Sequence, residues 1–125
     1  MSQRGRLIPF LESMGAAVVG CVGDIMLDRF VYGDVSRISP EAPIPVLRIG
    51  TEERAQQSML GGLGNVVRNL GALECGIRLF SITGEDAAGA EIDALVQAVP
   101  RCDAFLLREG SRCTPVKIRD RKSNV

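Results

Sequence analysis

The stretch Gly61-Gly62-Leu63-Gly64-Asn65-Val66-Val67-Arg68-Asn69-Leu70-Gly71 crowds glycines against the start of an apolar-periodic run. A loop that feeds a helix is written this way. Val66, Leu70 and Leu73 recur at helical spacing, which predicts that they form the buried face, with the glycines at the N-terminal end. Backbone N–H groups at a helix start lack intrahelical partners, and glycine lets a ligand approach them closely. Asn65 adds a donor and an acceptor on one side chain, the pairing a sugar hydroxyl needs. The alternative is a tight strand-to-helix turn in which glycine supplies only positive φ.

A chain of 125 residues holds one small domain with one core. Its formal net charge is zero, which recruits neither nucleic acid nor an anionic membrane. Histidine is absent, so acid–base chemistry would fall to carboxylates. Cys21, Cys75, Cys102 and Cys113 form no C-x-x-C pair and read as small buried hydrophobes in a reducing cytoplasm. Arg4 and Arg6 ahead of Val18-Val19-Gly20-Cys21 mimic a lipoprotein leader, but Pro9 and Glu12 break the apolar stretch such a leader requires. No run reaches transmembrane length.

Along the chain, Leu7, Phe10, Leu11 and Met14 predict an amphipathic helix over residues 6–14, with Gly15 as its C-cap. Residues 16–22 read as a central strand buried on both faces. Asp24 and Asp28 then stand at its C-terminal rim, as ligand-binding carboxylates or as turn and cap residues. Residues 30–35 and 45–52 read as two strands joined by the proline-rich 39–43, a flap outside the main sheet, and residues 51–60 as a polar connector. Strands at 77–82 and 104–107 bracket a helix carrying Ile92, Leu95, Val96 and Val99, capped by Asp86 and stopped by Pro100. This is the pattern of βαβ units in a parallel sheet. A last strand at 114–121 puts Lys117, Arg119 and Arg121 on one face, toward a phosphate or toward water.

Phosphate fingerprints fail at named residues. No glycine is followed by lysine as a P-loop requires, and a dinucleotide motif read from Gly62 and Gly64 would need glycine or alanine at Val67. Taken together, Gly23-Asp24-Ile25-Met26-Leu27-Asp28-Arg29-Phe30, Ser36-Arg37-Ile38-Ser39-Pro40-Glu41-Ala42-Pro43-Ile44-Pro45-Val46, the glycine cluster to Asn65, and Thr83-Gly84-Glu85-Asp86-Ala87-Ala88-Gly89 resemble the N-terminal part of the PfkB/ribokinase family of carbohydrate kinases. The branch they resemble phosphorylates the anomeric hydroxyl of D-glycero-D-manno-heptose 7-phosphate, a step toward ADP-heptose and lipopolysaccharide.

That resemblance implies part of a three-layer α/β/α domain with a parallel central sheet, its core near 15–28 and 60–107, and a small β-sheet lid near 29–54 and 112–122. It implies that Asp28, Gly61, Gly62 and Asn65 hold sugar hydroxyls, and that Lys117 and Arg119 lie near the sugar phosphate. It further implies ATP and Mg2+ for a complete family member, a homodimer formed through the lid, and neither nucleic-acid nor membrane partners. The family's nucleotide pocket, anion hole and catalytic aspartate lie in a second half not contained in these residues. This chain by itself is therefore expected to bind rather than to catalyse, and the alternative is a non-catalytic sugar-phosphate-binding or dimerising module. Two positions depart from the family's pattern: Val67, where a small residue is preferred, and Glu74, where glycine or serine is. If residue 74 has positive φ, glutamate there costs roughly 1 kcal/mol or more relative to glycine.

Overall fold

The computed structural model describes residues 3–50 and 56–122. In chain order they form α1 (Gln3–Ser13), a 3-10 turn (Met14–Ala16), β1 (Val18–Val22), β2 (Ile25–Ile38), β3 (Pro45–Ile49), β4 (Gln56–Gly62), α2 (Leu63–Ala72), β5 (Gly76–Gly84), α3 (Ala87–Gln97), β6 (Cys102–Glu109) and β7 (Val116–Lys122). The chain divides into two compact units, one of Met1–Leu27 with Leu60–Pro115, the other of Asp28–Met59 with Val116–Val125.

The first unit is built on a parallel sheet in the order β1-β5-β6, as the alternation of strands and helices predicts. On β5, Ile77, Leu79, Ser81 and Thr83 point to one face and are buried, while Arg78, Phe80 and Ile82 point to the other and are exposed. The buried side meets Val67 of α2 and Ile92 and Val96 of α3, and this cluster also takes in Cys21, Ile25, Leu27 and Leu60. Both helices cover the same face. The expectation that β1 is buried on both faces is therefore wrong: β1 is an edge strand, and Val18 and Val22 remain 64% and 78% exposed on the uncovered side.

The buried face of α2 also differs from the expected one. Val66 and Leu73 are exposed, and the residues that disappear are Gly64, Val67 and Gly71. A methyl group on Gly64 would lie 2.7 Å from the Leu60 Cβ, and one on Gly71 would lie 2.8 Å from the Val99 Cγ1. The helix approaches its neighbours through a glycine-valine-glycine strip, and distance of approach outweighs side-chain hydropathy. Val67 is accordingly fully buried core.

At the end of α2 the Cys75 N–H donates to the Leu70 carbonyl at 3.1 Å and the Glu74 N–H to the Gly71 carbonyl at 3.0 Å. This is a Schellman closure, whose left-handed position is glycine by preference. Here it is Glu74, at φ 62°. Glu74→Gly should therefore stabilise the chain by about 1 kcal/mol, read as a higher urea midpoint at unchanged slope. An unchanged midpoint would show that the strain is absorbed elsewhere.

Three further expectations are corrected. Gly15 does not cap α1 in a left-handed conformation but lies within the 3-10 turn, where the Ala17 N–H closes onto the Met14 carbonyl at 3.0 Å. Helix α1 does carry the predicted apolar residues, yet Leu7, Phe10 and Leu11 are all exposed and Pro9 falls inside it. The supposed connector at 51–60 is a strand from Gln56 onward, polar in sequence because Gln56 and Gln57 are exposed; residues 51–55 lie outside the described residues.

The second unit is a sheet in the order β3-β2-β4 with β7 also paired to β2. Strands β2 and β3 are antiparallel, with a register shift between Asp34 and Arg37, and the Ser39 N–H donates to the Ile44 carbonyl at 2.9 Å across the proline-rich turn. Gly33 is required where β3 crosses closely, because a Cβ there would overlap the Arg48 carbonyl.

Candidate functional site

In the first unit the glycine motif and the turn after β1 are tied together. The Ser81 hydroxyl donates to the Gly23 carbonyl at 2.6 Å and accepts from the Ile25 N–H at 3.2 Å. The Asp24 carbonyl in turn accepts from the Leu63 N–H at 2.9 Å, where β4 passes into α2. No loop intervenes: Gly62 is the N-cap itself at φ 57°, and a Cβ on it would stand 2.7 Å from the Asp24 carbonyl oxygen. Gly61 is buried, and Asn65 is exposed in the first turn of α2 without a side-chain hydrogen bond among the described residues. The Asp24 carboxylate is mostly in solvent, with the Arg112 Nη2 at 3.5 Å.

Asp86 organises the C-terminal end of β5. Its Oδ1 accepts from the Gly89 N–H at 2.8 Å, the helix cap expected from sequence, and its Oδ2 accepts from the Thr114 N–H at 2.8 Å. The Thr114 hydroxyl accepts from the Gly84 N–H at 2.8 Å and closes the knot. The bonds from Thr114, backbone first and then side chain, together with the bond from Gly89, hold the Asp86 carboxyl below its ordinary value, so it stays ionised in mild acid. Sequence reasoning gave Asp86 its cap but missed Thr114, which lies 28 residues away.

The second unit holds Asp28, Lys117 and Arg119. Asp28 is not at a rim but four residues into β2, and Phe30 follows on the same face. From β7, the Arg119 Nη2 lies 4.0 Å from the Asp28 Oδ2, and its guanidinium carbon is 5.9 Å from the centre of the Phe30 ring. The Asp28 Oδ1 is buried with no hydrogen-bond partner. Lys117 is exposed, and the Arg121 side chain lies outside the described residues. The structure thus brings Asp28 and Arg119 together within one unit, and Gly61, Gly62 and Asn65 together within the other.

Other chemistry finds less support. Of the four free cysteines, Cys21 and Cys75 are buried as expected, Cys102 is half-buried, and Cys113 is exposed, contrary to expectation. Burial pushes the Cys21 and Cys102 thiols up, the reverse of an activated nucleophile. Among the described residues no three His, Cys, Asp or Glu side chains group as metal ligands, and no helix is long and apolar enough to cross a membrane. A depression of about 640 Å³ is lined by Val22, Phe80, Ile82, Phe105 and Leu107 with Asp24 at its margin. It lies on the bare sheet face, and its apolar floor offers little to a sugar.

Comparison with known proteins follows the same lines. The bifunctional protein HldE of Rhodospirillum rubrum is 49% identical over 113 residues, 90% of this chain and 22% of that protein. The bifunctional protein HldE of Paramagnetospirillum magneticum is 47% identical over 119 residues, 95% of this chain and 24% of that protein. The chain therefore spans less than a quarter of the length of these relatives. Among solved structures, a carbohydrate kinase from Agrobacterium tumefaciens superposes with a TM-score of 0.63 at 17% identity, covering 85% of this chain and 32% of that one. The Halothermothrix orenii fructokinase gives 0.58 at 20% identity, covering 83% and 33%. A search of protein-family profiles gives no match. Over the segment it spans, the chain is similar in sequence to these HldE proteins and has the fold of the corresponding part of these carbohydrate kinases.

Proposed function

We propose that this chain is the acceptor-binding segment of a carbohydrate kinase whose substrate is D-glycero-D-manno-heptose 7-phosphate. The complete protein would transfer the γ-phosphate of ATP to the anomeric hydroxyl. The observation that carries the reading is the Asp28 carboxylate: one oxygen faces a guanidinium, and the other is buried without a donor. A buried acceptor left unpaired costs about 1–3 kcal/mol, which a ligand hydroxyl would recover. Gly61, Gly62 and Asn65 are assigned to further sugar contacts and Lys117 and Arg119 to the phosphate side, with the second unit acting as a lid and as the surface of a homodimer. ATP and Mg2+ belong to the complete enzyme. The nucleotide pocket, anion hole and catalytic aspartate that the resemblance implies fall outside these residues, so no step of phosphoryl transfer is assigned to them.

A thermal melt with and without heptose 7-phosphate tests the reading. At a hundred times its dissociation constant the ligand should add about 2.7 kcal/mol, on the order of 10 °C for a chain of this size. Asp28→Ala should abolish the shift while leaving the ligand-free melt cooperative. An equal shift in wild type and Asp28→Ala would refute the assignment. The alternative reading, a non-catalytic sugar-phosphate-binding or dimerising module, gives the same shift in this chain and is told apart in a complete protein carrying the segment, which would then form no phosphorylated product with ATP.

A further inference from the structure

Phe30 has no part in the readings above, yet it stands two residues beyond Asp28 on the same face of β2 and beneath the Arg119 guanidinium. We propose that Phe30, Arg119 and Asp28 act as one unit: the ring carries the guanidinium, the guanidinium faces Asp28 Oδ2 through charge at 4.0 Å, and the buried, unpaired Oδ1 accepts a ligand hydroxyl. This rests on the reading of Asp28 as the acceptor-binding carboxylate. It makes Phe30 a positioning residue and gives Arg119 a duty toward the carboxylate as well as toward a phosphate.

The physical case starts from the two carboxylate oxygens. A purely structural ion pair in a half-buried place would satisfy both, since an unpaired buried oxygen is costly. Here the partner addresses one only, at 4.0 Å, and the other has nothing. Arg119 is itself about half exposed, and an exposed arginine paired only through charge contributes little and samples many rotamers. A ring face restricts that sampling, because the guanidinium is attracted to the π-cloud and loses less freedom when stacked. Asp28 and Phe30 project from alternate residues of one strand, so the backbone of β2 sets the spacing between carboxylate and ring. The guanidinium from β7 spans it. The remaining edge of the half-exposed guanidinium stays open to solvent, or to an anionic group on the same ligand. The ligand class this fits is a polyol presenting one hydroxyl to Asp28, with an anionic substituent optional rather than obligatory.

Two measurements on the full chain test the unit. Without ligand, the Arg119 Nε–H resonance in an arginine-labelled sample should be displaced upfield by the ring, lose that displacement in Phe30→Leu and keep it in Phe30→Tyr. A signal at the free-arginine position in wild type, unmoved by Phe30→Leu, overturns the proposal whether or not any sugar binds. With heptose 7-phosphate and the unphosphorylated heptose as probes, Phe30→Leu should weaken both by roughly threefold to tenfold. The same substitution should have no further effect in an Arg119→Ala background, and Phe30→Tyr should restore binding. Additive losses from Phe30→Leu and Arg119→Ala overturn the proposal, because Phe30 would then act independently of Arg119. If Asp28→Asn leaves both probes unaffected, the acceptor-site reading fails, and the resonance measurement still decides whether the three side chains form a unit.

Discussion

Gly84→Ala should destabilise the chain by on the order of 3–5 kcal/mol, a large share of the 5–15 kcal/mol that holds a typical domain together. Gly84 closes β5 where the Asp86 knot is tied. An added Cβ would overlap the Arg112 carbonyl and stand 2.9 Å from the Asp86 Oδ2 and 3.0 Å from the Thr114 nitrogen. Those atoms are not flexible ends that can swing away. They are the backbone and the carboxylate of the bonds that join Gly84, Asp86, Gly89 and Thr114. Gly89→Ala should be comparably severe, since its Cβ would overlap the Gly84 carbonyl. Gly20→Ala is the control: nothing lies within 4 Å of a Cβ there, so it should fall within about 0.5 kcal/mol of wild type. Urea unfolding of the three variants checks the ranking. A Gly84→Ala midpoint close to that of Gly20→Ala would mean that the knot yields without cost.

The second large effect concerns association. On the uncovered face of the parallel sheet, Val22, Phe80 and Phe105 lie side by side in register, with Ile82 beside Leu107 in the next row. The two phenyl rings stack with centroids 5.1 Å apart. Exposures of 78% at Val22, 59% at Phe105 and 63% at Leu107 make this a continuous apolar surface. A patch of several hundred Å² is large for a monomer, and at about 25 cal/mol per Å² its burial is worth on the order of 10 kcal/mol before the cost of association. The wild-type chain should therefore run heavier than a monomer in light scattering and bind a hydrophobic dye. Phe105→Lys combined with Leu107→Lys should abolish the dye binding and bring the mass down to no more than that of a dimer formed through the second unit, without lowering the melting temperature, because neither side chain is in the buried cluster. A wild-type chain that is monomeric, dye-free and cooperatively melting would overturn this expectation.

What could be read from the sequence follows the reach of each signal. The strand at 77–82 and the cap at Asp86 are local signals, and both appear where the residues place them, though only one face of that strand is buried. Glu74 stands out as a departure from the glycine or serine of the family's pattern, and its φ of 62° is the positive value on which the expected cost depends. The face of α2 was misassigned because hydropathy scores Val66 and Leu73 as core, whereas the position of the helix is fixed by how closely Gly64 and Gly71 let it approach. Strand β4 was invisible because exposed strand residues may be polar without penalty once a neighbour supplies the hydrogen bonds. In the candidate site, Asp28 and Arg119 were nameable, but Thr114 and Phe30 were not. Threonine and phenylalanine have many uses, and only the folded partners single these two out.

The glycines that first suggested a ligand turn out to answer different questions. Gly62 satisfies a dihedral angle, and Gly64 and Gly71 satisfy a distance. Each of these demands is set by the protein's own chain. A descendant of this chain that had lost every substrate would still be held to those glycines by folding alone, while Asp28 would be free to drift. Persistence of the glycine signature in a lineage therefore records inheritance of the fold, and under the proposed function the residue whose fate tracks activity is the Asp28 carboxylate.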